Sequence, residues 1–170
     1  MRKDVKDQTV NPKMIKKNLL IKFFLILSIF FVDQISKYYI LSIFKFQNDL
    51  IYLTSFLNFQ LIWNDGIAFG LFSFEKSNLY NFLTLIIIGI IVLIIFMTAK
   101  ALGIKQYSLL MILGGAIGNV FDRLFYRSVP DFIDFHIGNF HWFIFNIADV
   151  FITFGVIFMI LIEILDNNKN

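Results

Sequence analysis

The chain of 170 residues is 58% hydrophobic and only 16% charged, with a formal net charge of +3, where a soluble domain carries roughly 25% charged residues. Its apolar content lies in long runs, the mark of a polytopic membrane protein, and the basic residues flank those runs without forming a basic domain, which argues against nucleic-acid binding. The absence of cysteine excludes disulfides, thiolate nucleophiles, Cys-ligated metals and lipid attachment to a cysteine of this chain.

Met1 to Lys17 is polar and basic, with Arg2, Lys3, Lys6, Lys13, Lys16 and Lys17. It reads as a disordered cytoplasmic tail that serves as a topology signal, and the first apolar run is too long for a cleavable signal. The expected organisation is a tail over 1–18, one membrane domain over 19–166 and a polar cytoplasmic tail over 167–170. Leu19 to Phe46 holds the first span, apolar until Asp33 and Lys37. These two are four apart, acid first, so they suit an ion pair on one helical face. Either the couple sits near the outer interface with the lysine snorkelling outward, or it faces the substrate.

Leu57, Phe59, Leu61 and Trp63 alternate with Asn58, Gln60, Ile62 and Asn64, a period of two that predicts an amphipathic strand at the water interface. Asn64-Asp65-Gly66 then predicts a turn. Leu79 to Thr98 is the uncharged second span, expected to face lipid, and Lys100 to Gln106 a short loop. Tyr107 to Tyr126 is the third span, where Gly114, Gly115 and Gly118 invite close packing by another helix. Trp142 to Leu165 contains the fourth. Four spans place both termini on one side, and the basic asymmetry makes that side cytoplasmic. The strand-bearing loop and the Arg127–His141 loop then face outward.

Between the last two runs, Gly114 to Asp149 concentrates Asn119, Asp122, Arg123, Asp131, Asp134, Asn146 and Asp149. Carboxylates at membrane level are expensive and point to function. Asn119 and Asp122 are three apart, as are Asn146 and Asp149, so each pair shares a face if helix persists there. With no thiol and no Ser-His pair, two carboxylates can activate water: held close, they cannot both ionise, so one stays protonated while the other is the base. Asparagine amides can donate to the ionised acid or to an oxyanion. Asp149 is one candidate; its partner is Asp122, Asp131 or Asp134. Against these roles, Asp122 reads as a salt-bridge partner of Arg123, and Asp134 as a solvated loop acid. Phe135 to His141 looks like a hairpin with a Gly-Asn turn that sets His136 opposite His141, which raises a metal-site reading.

Five blocks occur in order: Asp33-Gln34-Ile35-Ser36-Lys37, Asn64-Asp65-Gly66-Ile67-Ala68-Phe69-Gly70, Gly114 to Arg123, Val129-Pro130-Asp131-Phe132 and Phe145-Asn146-Ile147-Ala148-Asp149. Together they resemble the bacterial lipoprotein signal peptidases, the type II signal peptidases. The resemblance implies an all-α polytopic membrane protein of four transmembrane helices, with a small β cradle on the outer side and a short outer helix. It implies an intramembrane aspartyl endopeptidase of the inner membrane that cuts prolipoproteins before a diacylglyceryl-modified cysteine. The catalytic dyad falls on Asp131 and Asp149. Asn119, Arg123 and Asn146 match polar positions around it; Asp33, Lys37, Asn64 and Gly66 match positions that support the site or contact substrate, and Asp122 is counted among the supports. Pro130, Phe143 and Val150 depart from the residues usual in the family. The expected partners are the lipidated prolipoprotein and membrane lipid, with no nucleic acid, no cofactor and no metal ligand, in a monomer. Rival readings are a proton-coupled transporter, which needs acids spread through the membrane depth, and a metal hydrolase using His136 and His141.

Overall fold

The structure, a computed structural model, describes residues 12–46, 50–66 and 77–167. Residues 1–11, 47–49, 67–76 and 168–170 lie outside it, and with them most of the basic leader, the Ile67-Ala68-Phe69-Gly70 portion of one motif and Lys169. The order is α1 (Pro12–Phe44), β1 (Ile51–Tyr52), β2 (Leu57–Asn64), α2 (Ser77–Lys100), α3 (Gly103–Tyr126), β3 (Val129–Ile137), β4 (Phe140–Phe145) and α4 (Ile147–Asn167). All 4 helices among the described residues are long and apolar enough to cross a membrane. No separate short helix stands among the described residues.

Three boundaries differ from expectation. Helix α1 runs from Pro12 among the described residues, so residues 12–18 are helical rather than a disordered tail. Helix α3 starts at Gly103, which shortens the preceding loop to Ala101 and Leu102. Trp142 to Phe145 belong to β4 and not to the fourth span: they pair with β3, and the helix begins only at Ile147.

Helix α3 packs against α1, α2 and α4, and its apolar stretch is the most buried of the spans. The glycines explain how. A Cβ on Gly114 would stand 2.9 Å from Ile29 of α1, and one on Gly115 would stand 2.5 Å from the carbonyl oxygen of Ala148 on α4. Backbones therefore meet where side chains would hold them apart. The outer faces of α2 and α4 expose Leu85, Ile90, Phe96, Phe154 and Leu161, as lipid contact requires.

The strands form one antiparallel sheet in the order β1-β2-β3-β4. Because β1 and β2 come from the α1–α2 connection and β3 and β4 from the α3–α4 connection, both connections lie at the same end of the bundle. Ile40, Phe44 and Phe132 bury the joint between α1 and the sheet. Pro130 lies in a central strand, where a missing N–H is normally disruptive. It is tolerated because β4 pairs with β3 only from Ile133 onward, so β3 is locally an edge at Pro130. The β2 strand is present as expected, but its buried positions are polar: Asn58 and Asn64 point inward, while Ile62 and Trp63 are exposed. A register shift between Phe59 and Ile62 breaks the simple alternation. Asn58 and Asn64 serve the interior, while Gln60 alone of the polar positions faces water.

Candidate active site

Asp131 and Asp149 arrive from different elements and meet at Asn146. Asp131 sits near the start of β3, after α3 ends at Tyr126 and Arg127 turns the chain at φ 59°. Asn146 caps α4 and Asp149 is its third residue. Asn146 Oδ1 accepts from the Asp149 N–H at 3.0 Å, and Asp149 Oδ2 accepts from the Asn146 N–H at 3.2 Å. This is a reciprocal capping box, which satisfies two orphan donors of the helix end. Asn146 is therefore the cap and not a residue of the helical face.

The remaining Asn146 group, Nδ2, donates to Asp131 Oδ1 at 2.6 Å. Asn64 Nδ2 donates to Asp131 Oδ2 at 2.8 Å, and Asn119 Nδ2 donates to Asp149 Oδ1 at 2.8 Å. Both acids are thus buried and held by neutral amides, with no ion pair to Lys or Arg among the described residues. Burial first, then the charge of Asp149, push the Asp131 carboxyl up from 3.8 to about 7, against the Asn64 and Asn146 hydrogen bonds that favour its charged form.

Behind the amides lies a charged layer. Lys37 Nζ donates to Asp33 Oδ2 at 2.7 Å, Asp122 Oδ2 at 2.5 Å and Asn119 Oδ1 at 3.0 Å, which uses all of an ammonium's donors. The lysine is 2% exposed, so it turns into the protein and does not snorkel outward. Its bond to Asn119 Oδ1 leaves the amide nitrogen facing Asp149. Asp122 pairs with Lys37 and not with its neighbour Arg123. Arg123 donates instead to the carbonyl oxygens of Asn119 at 3.1 Å and Gly66 at 2.9 Å. Gly66 N–H in turn donates to Asn64 Oδ1 at 2.9 Å, so Arg123 and Asn64 together fix the turn beside Asp131.

Asp33 does something that spacing did not suggest. Its Oδ1 accepts from the Ala148 N–H at 2.8 Å, so a carboxylate of α1 caps the start of α4. Gln34 was also not singled out; it donates to Asp33 and Asp122 at 3.1 and 3.2 Å. Its position beside Asp33 was the available signal. Asp134 is fully buried, contrary to its reading as a solvated loop acid. The expected hairpin is present, with His136 opposite His141 and Gly138 at φ 59°.

A cavity of about 270 Å³ opens beside Asp149, lined by Phe135, Trp142, Phe143, Phe145, Thr153 and Phe154. Its walls are almost wholly apolar, so it suits a hydrocarbon-like guest next to a polar reaction centre.

Residues 25–165 match the family model described as Signal peptidase (SPase) II. The chain belongs to the signal peptidase II family. A lipoprotein signal peptidase of Pelagibacter ubique (strain HTCC1062) is 50% identical over 154 residues, covering 90% of this chain and 93% of that protein. One from Francisella tularensis subsp. mediasiatica (strain FSC147) is 40% identical over 152 residues, covering 87% and 94%. A solved bacterial membrane enzyme, determined by the in meso method at 2.3 Å, superposes with a TM-score of 0.75 at 30% identity, covering 88% of this chain and 91% of that one. Membership in the signal peptidase II family makes this a peptidase of the bacterial inner membrane, with several membrane passes.

Proposed function

We propose that this signal peptidase II acts as an intramembrane aspartyl endopeptidase, with Asp131 and Asp149 as its catalytic pair. The family removes signal peptides from prolipoproteins, a hydrolysis that needs an activated water. The observation that carries it is Asn146, whose one side chain and N–H hold both buried carboxyls. Asp33, Asp122, Asp131 and Asp149 against Lys37 and Arg123 leave a net −2 if every group is charged. Charges so buried are costly, and one proton held between Asp131 and Asp149 relieves half of that excess.

That protonation state is the one hydrolysis needs. The ionised acid takes a proton from water as the water oxygen bonds to the scissile carbonyl carbon. The protonated acid gives its proton to the carbonyl oxygen. When the tetrahedral intermediate collapses, the C–N bond breaks and the amine leaves with a proton from the dyad. Asn64, Asn119 and Asn146 orient the acids, and Lys37, Asp33, Asp122 and Gln34 hold the amides and the start of α4 in place. Substrate would lie with apolar groups in the aromatic-walled cavity and its scissile bond over the pair, cut on the N-terminal side of the diacylglyceryl-modified cysteine. The shared sheet end of the bundle would face outward, with both termini and the basic leader cytoplasmic, and the enzyme would act as a monomer.

The test is gel-shift cleavage of a diacylglyceryl-modified precursor by purified Asp131→Asn and Asp149→Asn variants, with an unmodified precursor as control. Each folded variant should fail to cleave. Normal cleavage by either one overturns the dyad, and equal cleavage of the unmodified precursor removes the lipid requirement.

A further inference from the structure

Asp134 on β3 is fully buried, yet among the described residues its ion-pair partners are histidines and neither Lys nor Arg. A carboxylate removed from water needs a cation or a metal against it. His141 Nδ1 lies 2.9 Å from Asp134 Oδ1 and 2.8 Å from Oδ2. His136 Nδ1 lies 3.9 Å from the same Oδ2. The sheet enforces this gathering. Asp134 and His136 are two apart on β3 and so share a face, Asp134 pairs with Asn58 on β2, and a register shift of β4 between Asp134 and His136 sets His141 opposite His136. One candidate ligand atom from each of Asp134, His136 and His141 lies within 4.8 Å of the others.

A histidinium–aspartate pair would account for one ring, but not for Asn58. That residue is 2% exposed, its Nδ2 stands 3.4 Å from both Asp134 Oδ2 and His136 Nδ1, and its Oδ1 is buried without a partner. The oxygen and nitrogen of an amide exchange places when the group turns over. Turned over, Asn58 presents an oxygen to the cluster.

We infer that Asp134, His136 and His141, with Asn58 Oδ1 as fourth ligand, form a site for one zinc-like divalent ion that is separate from the peptidase dyad. Two imidazoles and two oxygens are a donor set that zinc accepts. Zinc–ligand bonds of about 2.0–2.1 Å set tetrahedral ligand atoms roughly 3.3 Å apart, and the present separations of 2.8, 3.4 and 3.9 Å straddle that value. The His141 side chain is 51% exposed, which gives the ion a way in from water. The ion would tie β2, β3 and β4 together, next to the strands that carry Asn64 and Asp131. An Asp134 expected in solvent needs no ion; a fully buried one does.

The full chain, purified in detergent with an affinity tag that contains no histidine and stripped with chelator, is dialysed against zinc. One zinc should be retained per chain, and the apparent melting temperature should rise with zinc. His136→Phe and His141→Ala, checked for fold by circular dichroism in metal-free buffer, should each weaken zinc binding by more than about tenfold, since even an outer-shell partner is worth that much. Cobalt added to the unaltered chain should give the intense visible absorption of a tetrahedral N/O site, a readout independent of any variant. Failure of the unaltered chain to retain zinc, a weak octahedral cobalt spectrum, or undiminished binding in both histidine variants overturns the inference.

Discussion

Asp131→Asn should inactivate the enzyme and stabilise it. The carboxyl of Asp131 rises from 3.8 to about 7 on folding, mainly through burial and then through the charge of Asp149. A folded-state value raised above the unfolded one means that the native protein binds the extra proton, so this group opposes folding increasingly as pH rises through that window. The span is about 3 pH units at ~1.36 kcal/mol each, so above pH ~8 the ionised group disfavours the fold by roughly 4 kcal/mol. An amide in its place never ionises. It does meet amide donors from Asn64 and Asn146 with only one acceptor oxygen, and the donor left unpaired costs about 1–3 kcal/mol. The variant should therefore be more stable than the native enzyme at alkaline pH by roughly 1–3 kcal/mol, the difference between those terms. The advantage should shrink and then reverse as pH falls toward 4, where the acid is protonated in the fold and nearly half protonated in the unfolded chain, so little of the penalty remains. Thermal unfolding in detergent between pH 4 and 8.5 measures this, alongside the cleavage assay. A variant less stable than the native enzyme throughout that range, or one that still cleaves, refutes the reasoning.

Gly118→Ala would set a Cβ 2.6 Å from Asp33 Oδ2, a carboxylate pinned by Lys37 and by the Ala148 N–H; stability should fall by about 1–3 kcal/mol with loss of cleavage, while Gly89→Ala, which meets nothing, serves as control. Lys37→Met strands two buried carboxylates and frees Asn119, so a stability loss of about 3–5 kcal/mol and loss of turnover are expected; a native melting temperature would show that the layer behind the site is dispensable. Reporter fusions after Ser55 and Gly138 should read external and one after Gly103 cytoplasmic, and an external reading at Gly103 would overturn the orientation.

The spans were legible because apolar runs of this length have few other structural uses, and the hairpin because its turn residues flank β-forming segments. Contact partners were not. Asp122 stands beside Arg123 in sequence, yet consecutive helical residues point about 100° apart and do not face each other, and the lysine that pairs with Asp122 comes from α1. Asn58 reads as the solvent face of a strand until Asp134 and His136 of β3 are seen to close around its amide. Where α4 starts within Trp142 to Leu165 is not legible, because Trp142 to Phe145 are as apolar as a helix, and only pairing across β3 shows them to be strand. Asn146 and Asp149 were legible as a pair three apart, but whether they mark a helical face or a capping box depends on where the helix begins.

That distinction gives the two aspartates different weights in the fold. Replacing either by asparagine removes one charge from the dyad, so the relief of repulsion is common to both changes. Asp131 lies on a strand, and its tie to a helix end is the bond it accepts from Asn146 Nδ2, which an asparagine oxygen can keep. Asp149 lies in the first turn of α4, accepts from Asn146 N–H and receives Asn119 Nδ2 on its other oxygen. Asp149→Asn gives up the charge at the positive end of the helix, worth about 0.3–1 kcal/mol at a surface and up to ~2 when partly buried. It also turns an amide NH2 toward one of two donors. At pH 8 the Asp131 variant should therefore melt above the Asp149 variant. The gap should be about 1–2 kcal/mol, or a few degrees in a chain of this size, with both inactive. The double variant should lose no further activity, because acids that act as one unit do not lose it additively. An Asp149 variant that melts above the Asp131 variant would mean that the capping box does not secure the helix that carries the site.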